Sequence, residues 1–173
     1  MATIGQITPY YSTSADLGKI PYLKSISFCK IPYLSTRLIE EFYNENVLEK
    51  RMFEDYTKLE QIIVPVGVTS ILDKMFYNTG IEEVILPATL ETIGAGAFIR
   101  TKTNNNPLVI RISKTDEDKT LTVAQLVNSQ LGYKIKEDKD ELEKISNITV
   151  YCPEEFTDII SYFESFGATV KII

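Results

Sequence analysis

Leu59-Glu-Gln-Ile62-Ile-Val64-Pro65-Val-Gly-Val68-Thr-Ser-Ile71 is answered further along the chain by Ile81-Glu-Glu-Val84-Ile-Leu86-Pro87-Ala-Thr-Leu90-Glu-Thr-Ile93. The landmarks move together: 59 to 81, 65 to 87, 71 to 93 and Phe76 to Phe98, each a displacement of 22. A proline, an isoleucine and a phenylalanine do not stay in step by accident, so these are two copies of one unit. Within the unit, Ile62 and Val64 share one face of a strand because side chains alternate with period two. Pro65 lacks an amide donor and is expected to end ladder pairing and turn the chain away. Ile71 and Phe76 then return apolar bulk to the same core. One unit cannot bury its own face, but stacked units can, along a parallel ladder with strands ~4.8 Å apart.

Imperfect copies flank the clean pair. Upstream, Leu23-Lys-Ser-Ile26-Ser-Phe28 repeats the strand pattern, with Pro32, Leu38 and Tyr43 as later landmarks. Downstream, Ile110 and Ile112 alternate after Pro107, and Ile145-Ser-Asn-Ile148-Thr-Val150 restores the spacing, with Pro153 delayed by two. Five strand rungs follow, two clean and three imperfect, over 23–28, 60–64, 82–86, 109–112 and 147–151. Val170 and Ile172 form a last alternating pair that is placed to close the stack.

Ile62 to Phe98 resembles the BspA-like class of leucine-rich repeats, whose consensus reads I-x-I-P-x-x-V-T-x-I-G-x-x-A-F. Val64-Pro65, Val68-Thr69-Ser70-Ile71 and Phe76 match one copy; Leu86-Pro87, Ile93-Gly94 and Ala97-Phe98 match the next. Leu72 and Met75 stand where the consensus has glycine and alanine. Ile148-Thr-Val150-Tyr-Cys-Pro153, running into a helix with Tyr162, is similar to the closing segment of many such proteins. The resemblance implies a repeat fold and interaction roles, often at surfaces of bacteria, protists and their viruses, and no catalytic residues.

Two stretches interrupt the repeat. From Ser35 to Tyr56, Leu38, Phe42, Val47, Leu48, Met52 and Tyr56 recur at near-helical intervals, which predicts an amphipathic helix. From Ser113 to Glu143, Thr122-Val-Ala-Gln125 has capping-box spacing, Leu126, Val127 and Leu131 make a stripe, and Gly132 offers a C-terminal stop. Lys134 to Leu142 reads as a solvated charged segment. Pro153 fits a first helical position, with Glu154 and Glu155 in a first turn that favours anions. Phe156, Ile159, Ile160, Phe163 and Phe166 form one face of that helix, Gly167 ends it, and it is placed to cap the open end of the stack. The fold expected is α/β: a short leucine-rich-repeat solenoid with a parallel sheet, helical insertions and a C-terminal capping helix. It is one domain over 1–173. An N-terminal arm spans 1–22, and 23–112 carries the repeats with the helical insertion at 35–56. The second insertion occupies 113–144, and 145–173 holds the last repeat and the cap.

Chemistry is sparse. The 173 residues contain no histidine, which removes Ser-His-Asp and Cys-His arrangements, histidine bases and the commonest metal ligand together. A net charge of -6 and a pI near 4.8 speak against attraction to phosphate backbones. Cys29 and Cys152 form no CxxC pair and read as buried thiols. Gly94-Ala-Gly96-Ala-Phe98-Ile99 half-resembles a dinucleotide fingerprint, but Ile99 fills the third glycine's place, so turn glycines of the repeat are preferred. Asp116-Glu117-Asp118 and Glu137-Asp138 lack the spacing of a calcium loop. No enzyme activity, cofactor, metal, nucleic acid or membrane is expected. Met1 to Gln6 shows neither a basic nor an apolar leader pattern, so synthesis in a cytosol is expected.

The strand face turned away from the core is more informative. If Ile62 and Val64 point inward, one outward column reads Ser27, Ile63, Ile85, Arg111, Thr149 and its neighbour Ser25, Gln61, Glu83, Val109, Asn147. Ile63, Ile85 and Val109 form a small apolar patch beside Glu60, Glu82 and Glu83, and Ile63, Ile85, Glu83, Val109 and Arg111 are the candidate interaction surface. The chain's own insertions or N-terminal arm are an equal alternative as its cover. Tyr10, Tyr11, Tyr22 and Tyr33 in the arm are a second candidate interface, weighed against packing over the first rung. The function expected is non-enzymatic: a protein-binding or structural scaffold, as a minor component of a virion or similar assembly. A soluble recognition module for a host or regulatory protein is the alternative.

Overall fold

A computed structural model describes residues 2–4, 23–27, 53–64, 68–114, 119–136 and 141–173. Most of the 35–56 insertion, the four arm tyrosines, Cys29, Pro65 and both acidic runs at 116–118 and 137–138 lie outside these residues. So do the upstream landmarks Pro32, Leu38 and Tyr43. Residues 53–56, the end of that insertion, form turn and coil rather than helix.

The repeat strands are β1 (Ala2–Ile4), β2 (Leu23–Ser27), β3 (Gln61–Ile63), β5 (Glu83–Pro87), β7 (Leu108–Ser113), β10 (Ile148–Cys152) and β11 (Thr169–Ile172). They form one seven-stranded sheet in that order. Every neighbouring pair is parallel. The register threads one column through all seven: Ile4, Ile26, Ile62, Val84, Ile110, Val150 and Val170. Each of these is β-branched and apolar, the class that suits a pleated sheet with one buried face. The five expected strands are therefore present and parallel, β11 forms where the Val170 and Ile172 pair was expected, and β1 extends the opposite edge. The sequence reading placed residues 2–4 in an arm, because three residues are too few to show a period. Pro87 remains in β5 as its last residue instead of lying beyond it.

Within the large sheet the 22-residue displacement holds between β3 and β5, where Ile62 faces Val84, and recurs where Ile4 faces Ile26. The landmarks Ile71 and Ile93 also pair, within a small parallel sheet of β4 (Ser70–Ile71) and β6 (Thr92–Ile93). Behind them the turns run in ladders too. Lys74 N–H donates to Ala95 O at 3.0 Å, Phe76 N–H to Ala97 O at 2.9 Å and Asn78 N–H to Ile99 O at 2.8 Å. The turn amides of one unit are thus satisfied by the next, as buried backbone groups must be.

That ladder continues into the stretch expected to be an insertion. Gly96 N–H donates to Asn128 O at 3.0 Å and Phe98 N–H to Ser129 O at 3.1 Å. Helix α1 (Val123–Ser129) therefore stands beside the preceding turn. Its start is as the sequence predicts: Gln125 Oε1 accepts from Thr122 N–H at 2.5 Å. Its end is not, since Gln130 takes the left-handed cap position at φ 55° and Gly132 lies two residues further on. Leu126 and Leu131 are buried, but Val127 is 52% exposed, so the stripe is narrower than read. Lys134 to Leu142 is not simply a solvated segment. Tyr133–Ile135 (β8) pairs antiparallel with Leu142–Lys144 (β9), with ion pairs Lys134–Glu143 and Lys136–Glu141 across it.

Helix α2 (Thr157–Phe166) begins four residues after Pro153, which instead opens a turn: Phe156 N–H donates to Pro153 O at 3.1 Å. Phe156, Ile159 and Phe163 are buried, Ile160 and Phe166 pack at the margin, and Gly167 ends the helix at φ 94°. Phe53, Phe76 and Phe98 form one column of stacked rings in the core, with centroids 5.4 Å apart at each step.

Among the described residues, one buried position is charged. Arg100 is 1% exposed, and among the described residues only its Nη1 has an acceptor, Asn106 O at 2.9 Å. Nε and Nη2 are buried and have no partner among the described residues. Burial lowers its pKa to about 10 against the pull of nearby Glu82, which still leaves the guanidinium charged at neutral pH. The three asparagines that read only as a loop signal anchor this corner. Asn104 donates to Gly80 O at 2.7 Å, Asn106 Nδ2 to Glu82 Oε1 at 2.5 Å, and Asn105 Oδ1 accepts from Lys134 Nζ at 2.5 Å.

Candidate interaction surface

Strands β3, β5 and β7 alternate buried and half-buried residues, which fixes which side chains face away from the core. Ile62, Val84, Leu86, Ile110 and Ile112 point in; Ile63, Ile85, Glu83, Val109 and Arg111 point out and are half-buried. The register puts Ile63 beside Ile85 and Ile85 beside Arg111, and places Gln61 beside Glu83 and Glu83 beside Val109. All five candidate residues thus lie on one face, in two adjoining columns.

The columns differ from expectation at β10. Thr149 faces Val109, and it is Tyr151 that faces Arg111. The spacing had aligned Ile148 with Ile110, whereas the register pairs Ile148 with Leu108 and Val150 with Ile110. A slip of two leaves every side chain on its proper face, so alternation cannot detect it. Burial decides it. Leu108, Ile110 and Ile112 fill one strand's inner positions, and Ile148, Val150 and Cys152 fill the other's. Cys152 is accordingly a core residue, its thiol pushed up to about 11 mainly by burial, which makes it a poor nucleophile.

That slip brings Tyr151 beside Arg111, a neighbour the spacing did not give. Glu83 accepts from Gln61 Nε2 at 2.6 Å and from Arg111 Nε at 2.7 Å. The Arg111 hydrogen bond is the main reason the Glu83 carboxyl is held below the usual carboxylate range, against the opposing effect of desolvation. Arg111 also lies over the Tyr151 ring, 4.1 Å from its centroid, and Lys171 Nζ approaches the same ring at 5.2 Å and its hydroxyl at 3.4 Å. One end of the face is therefore aliphatic, at Ile63 and Ile85. The other is a Glu–Arg–Tyr–Lys array in which charge is paired or laid on a ring. Of the acidic rim, Glu82 is turned to Asn106.

Among the described residues, no group of three or more histidine, cysteine or acidic side chains is placed to hold a metal ion. Among the same residues no helix is long and apolar enough to cross a membrane. The glycines Gly94 and Gly96 belong to the repeat's turn, and the Gly96 amide is already donated to Asn128 O.

The family model for the BspA type leucine-rich repeat region matches residues 17–105, in 6 copies. The chain belongs to the BspA-type leucine-rich-repeat family. The match takes in β2 to β6 and the whole aromatic column, while β7, β10 and α2 lie beyond it. Leucine-rich repeats generally mediate protein–protein interaction or scaffolding, and the family is typically non-enzymatic. No curated protein and no solved structure matches the chain.

Proposed function

We propose that this leucine-rich-repeat chain is a non-enzymatic protein-binding scaffold, and that its partner docks on the outward sheet face carrying Ile63, Ile85, Glu83, Val109 and Arg111. The finer architecture belongs to the same proposal: the rungs stack as a short solenoid, and α2 caps one end of it. The observation that carries the reading is the composition of the face. Two adjacent isoleucines sit next to an arginine already oriented by Glu83 and Tyr151, so an apolar anchor and a held polar group are offered side by side. Interfaces combine these elements, an apolar centre with aromatic and arginine contacts and a polar rim. Pre-arrangement of Arg111 lowers the ordering cost a partner would otherwise meet.

Membership of a larger assembly such as a virion, after synthesis in a cytosol, is proposed on the family resemblance. The double variant Ile63→Ser/Ile85→Ser tests the surface. The tagged natural chain should co-isolate a stoichiometric protein partner, and the variant should lose it while melting at the same temperature. If the variant melts markedly lower in isolation, the face is covered by the chain itself and the docking proposal fails.

A further inference from the structure

Among the described residues the seven-stranded sheet ends at β1 and β11, and β11 carries neither a proline nor a bulge. Every strand is parallel, so the two edges run in the same direction and could pair with each other between copies. Ile173 N–H donates inward to Cys152 O at 3.2 Å. By the alternation of a parallel ladder, the amides and carbonyls of Val170 and Ile172 then point to the open side. Ile172 and Ile173 are 54% and 53% exposed, so none of the described residues covers this end. Edge strands are ordinarily blunted by charge, proline or a bulge, and terminal repeats by a polar outer face. Here the one charged residue, Lys171, faces the Tyr151 ring.

The opposite edge offers what this one lacks. The β-branched column starts at Ile4 and stops at Val170, so an Ile4 set beside Val170 of another copy would continue it without a change of direction or residue class. We propose that β11 of one copy accepts β1 of a second copy as a parallel neighbour, so that chains associate head to tail. Such an interface is heterologous and does not close on itself, which gives short linear arrays instead of a symmetric dimer. The contact uses the sheet's edges, not its outward face, so it stands or falls apart from the docking surface proposed above. A four-residue edge is small beside the ~1,200 Å² of a stable interface, and association should be weak and rise with concentration.

Light scattering after size exclusion should give a mass that climbs above one chain as loading increases about 100-fold. Ile172→Pro removes an outward amide, spares the ladder to β10, and should return the mass to one chain with an unchanged melting temperature. The pairing sets Thr3 beside Thr169 of the next copy, at the ~4.8 Å spacing of neighbouring strands, close enough for a disulfide. A chain carrying both Thr3→Cys and Thr169→Cys should therefore give a ladder of dimers, trimers and longer species under oxidation. Each single variant should match the natural chain, which carries Cys29 and Cys152 and sets the baseline. A single-chain mass at every concentration would overturn the proposal. So would dimers from Thr169→Cys alone, or a ladder that survives Ile172→Pro.

Discussion

Phe76 and Phe98 lie face to face, with centroids 5.4 Å apart and ring planes 10° from parallel, and Phe53 repeats the relation on the other side of Phe76. Equivalent positions of successive repeats fall one rung apart, so the sequence displacement of 22 becomes a ring-on-ring contact. All three rings are fully buried. Phe98→Ala should destabilise the chain by ~3–5 kcal/mol, the usual result of emptying an aromatic site in a packed core. Phe98→Leu, which keeps most of the volume, should cost far less. Urea denaturation of the two variants checks this, and equal midpoints for alanine and the natural residue would contradict the stacking.

Gly94 answers a different demand. A Cβ built there would meet Asp73 N at 2.2 Å and the Leu72 carbonyl carbon at 2.3 Å, both backbone atoms of the preceding repeat. Neither can move without disturbing the Gly94 N–H bond to Ile71 O at 2.8 Å. Gly94→Ala should therefore cost more than ~1–3 kcal/mol, at or above the range of ordinary overpacking. Gly167→Ala has open space around it and only its φ of 94° to resist, so ~1–2 kcal/mol is expected. Thermal melts of the pair should rank Gly94→Ala as the less stable; the reverse order would mean the repeats are looser than this close approach requires.

How much of this could be read beforehand depended on period and on distance. The two clean repeats carry landmarks at one fixed displacement, so the strands, their parallel order and the Phe76–Phe98 stack followed from spacing alone. The outward columns were legible as far as Arg111 for the same reason. Beyond it, the step from Ile110 to Val150 spans 40 residues and contains α1 and a hairpin, and alternation is blind to a slip of two. Tyr151 was missed on that account. Phe53 was missed because it lies 23 residues before Phe76, one more than the repeat, though Met52-Phe53 echoes Met75-Phe76. Arg100 follows the repeat's Phe98-Ile99 and leaves no local sign that it turns into the core instead of toward water.

Glu83 and Arg111 form the ion pair of the outward face, and their side chains are 27% and 40% exposed. Such a pair is worth at most ~1 kcal/mol once solvent screening is counted. The Glu83 carboxyl is held low in the folded chain chiefly by the Arg111 hydrogen bond. A depressed carboxylate pKa gives stability that is complete above the unfolded value and is lost as pH falls through the folded one. Glu83→Gln should thus lower stability by less than ~1 kcal/mol at neutral pH, and the gap should close in acid below the usual carboxylate range. Melts of both proteins across that range provide the check; a gap that persists unchanged in acid would assign the loss to something other than the charge.

Arg100 carries the sharpest test of the interior. Its guanidinium is buried with Nη1 bonded and Nε and Nη2 without acceptors among the described residues, and each unsatisfied buried donor costs about 1–3 kcal/mol. A buried charge with so little compensation is often replaced by an apolar side chain of similar length without loss. Asn106 supplies its backbone oxygen to Arg100, while the side chains of Asn104, Asn105 and Asn106 hold Gly80, Lys134 and Glu82, so that loop keeps its anchors when the guanidinium is gone. Arg100→Met should therefore leave stability within about 1 kcal/mol of the natural chain or raise it. Arg100→Ala, which also empties the space filled by the long stem, should lose several kcal/mol. Denaturation of the two variants separates packing from charge. A methionine variant as unstable as the alanine one would show that the guanidinium is needed where it lies, held by partners beyond the single Asn106 carbonyl.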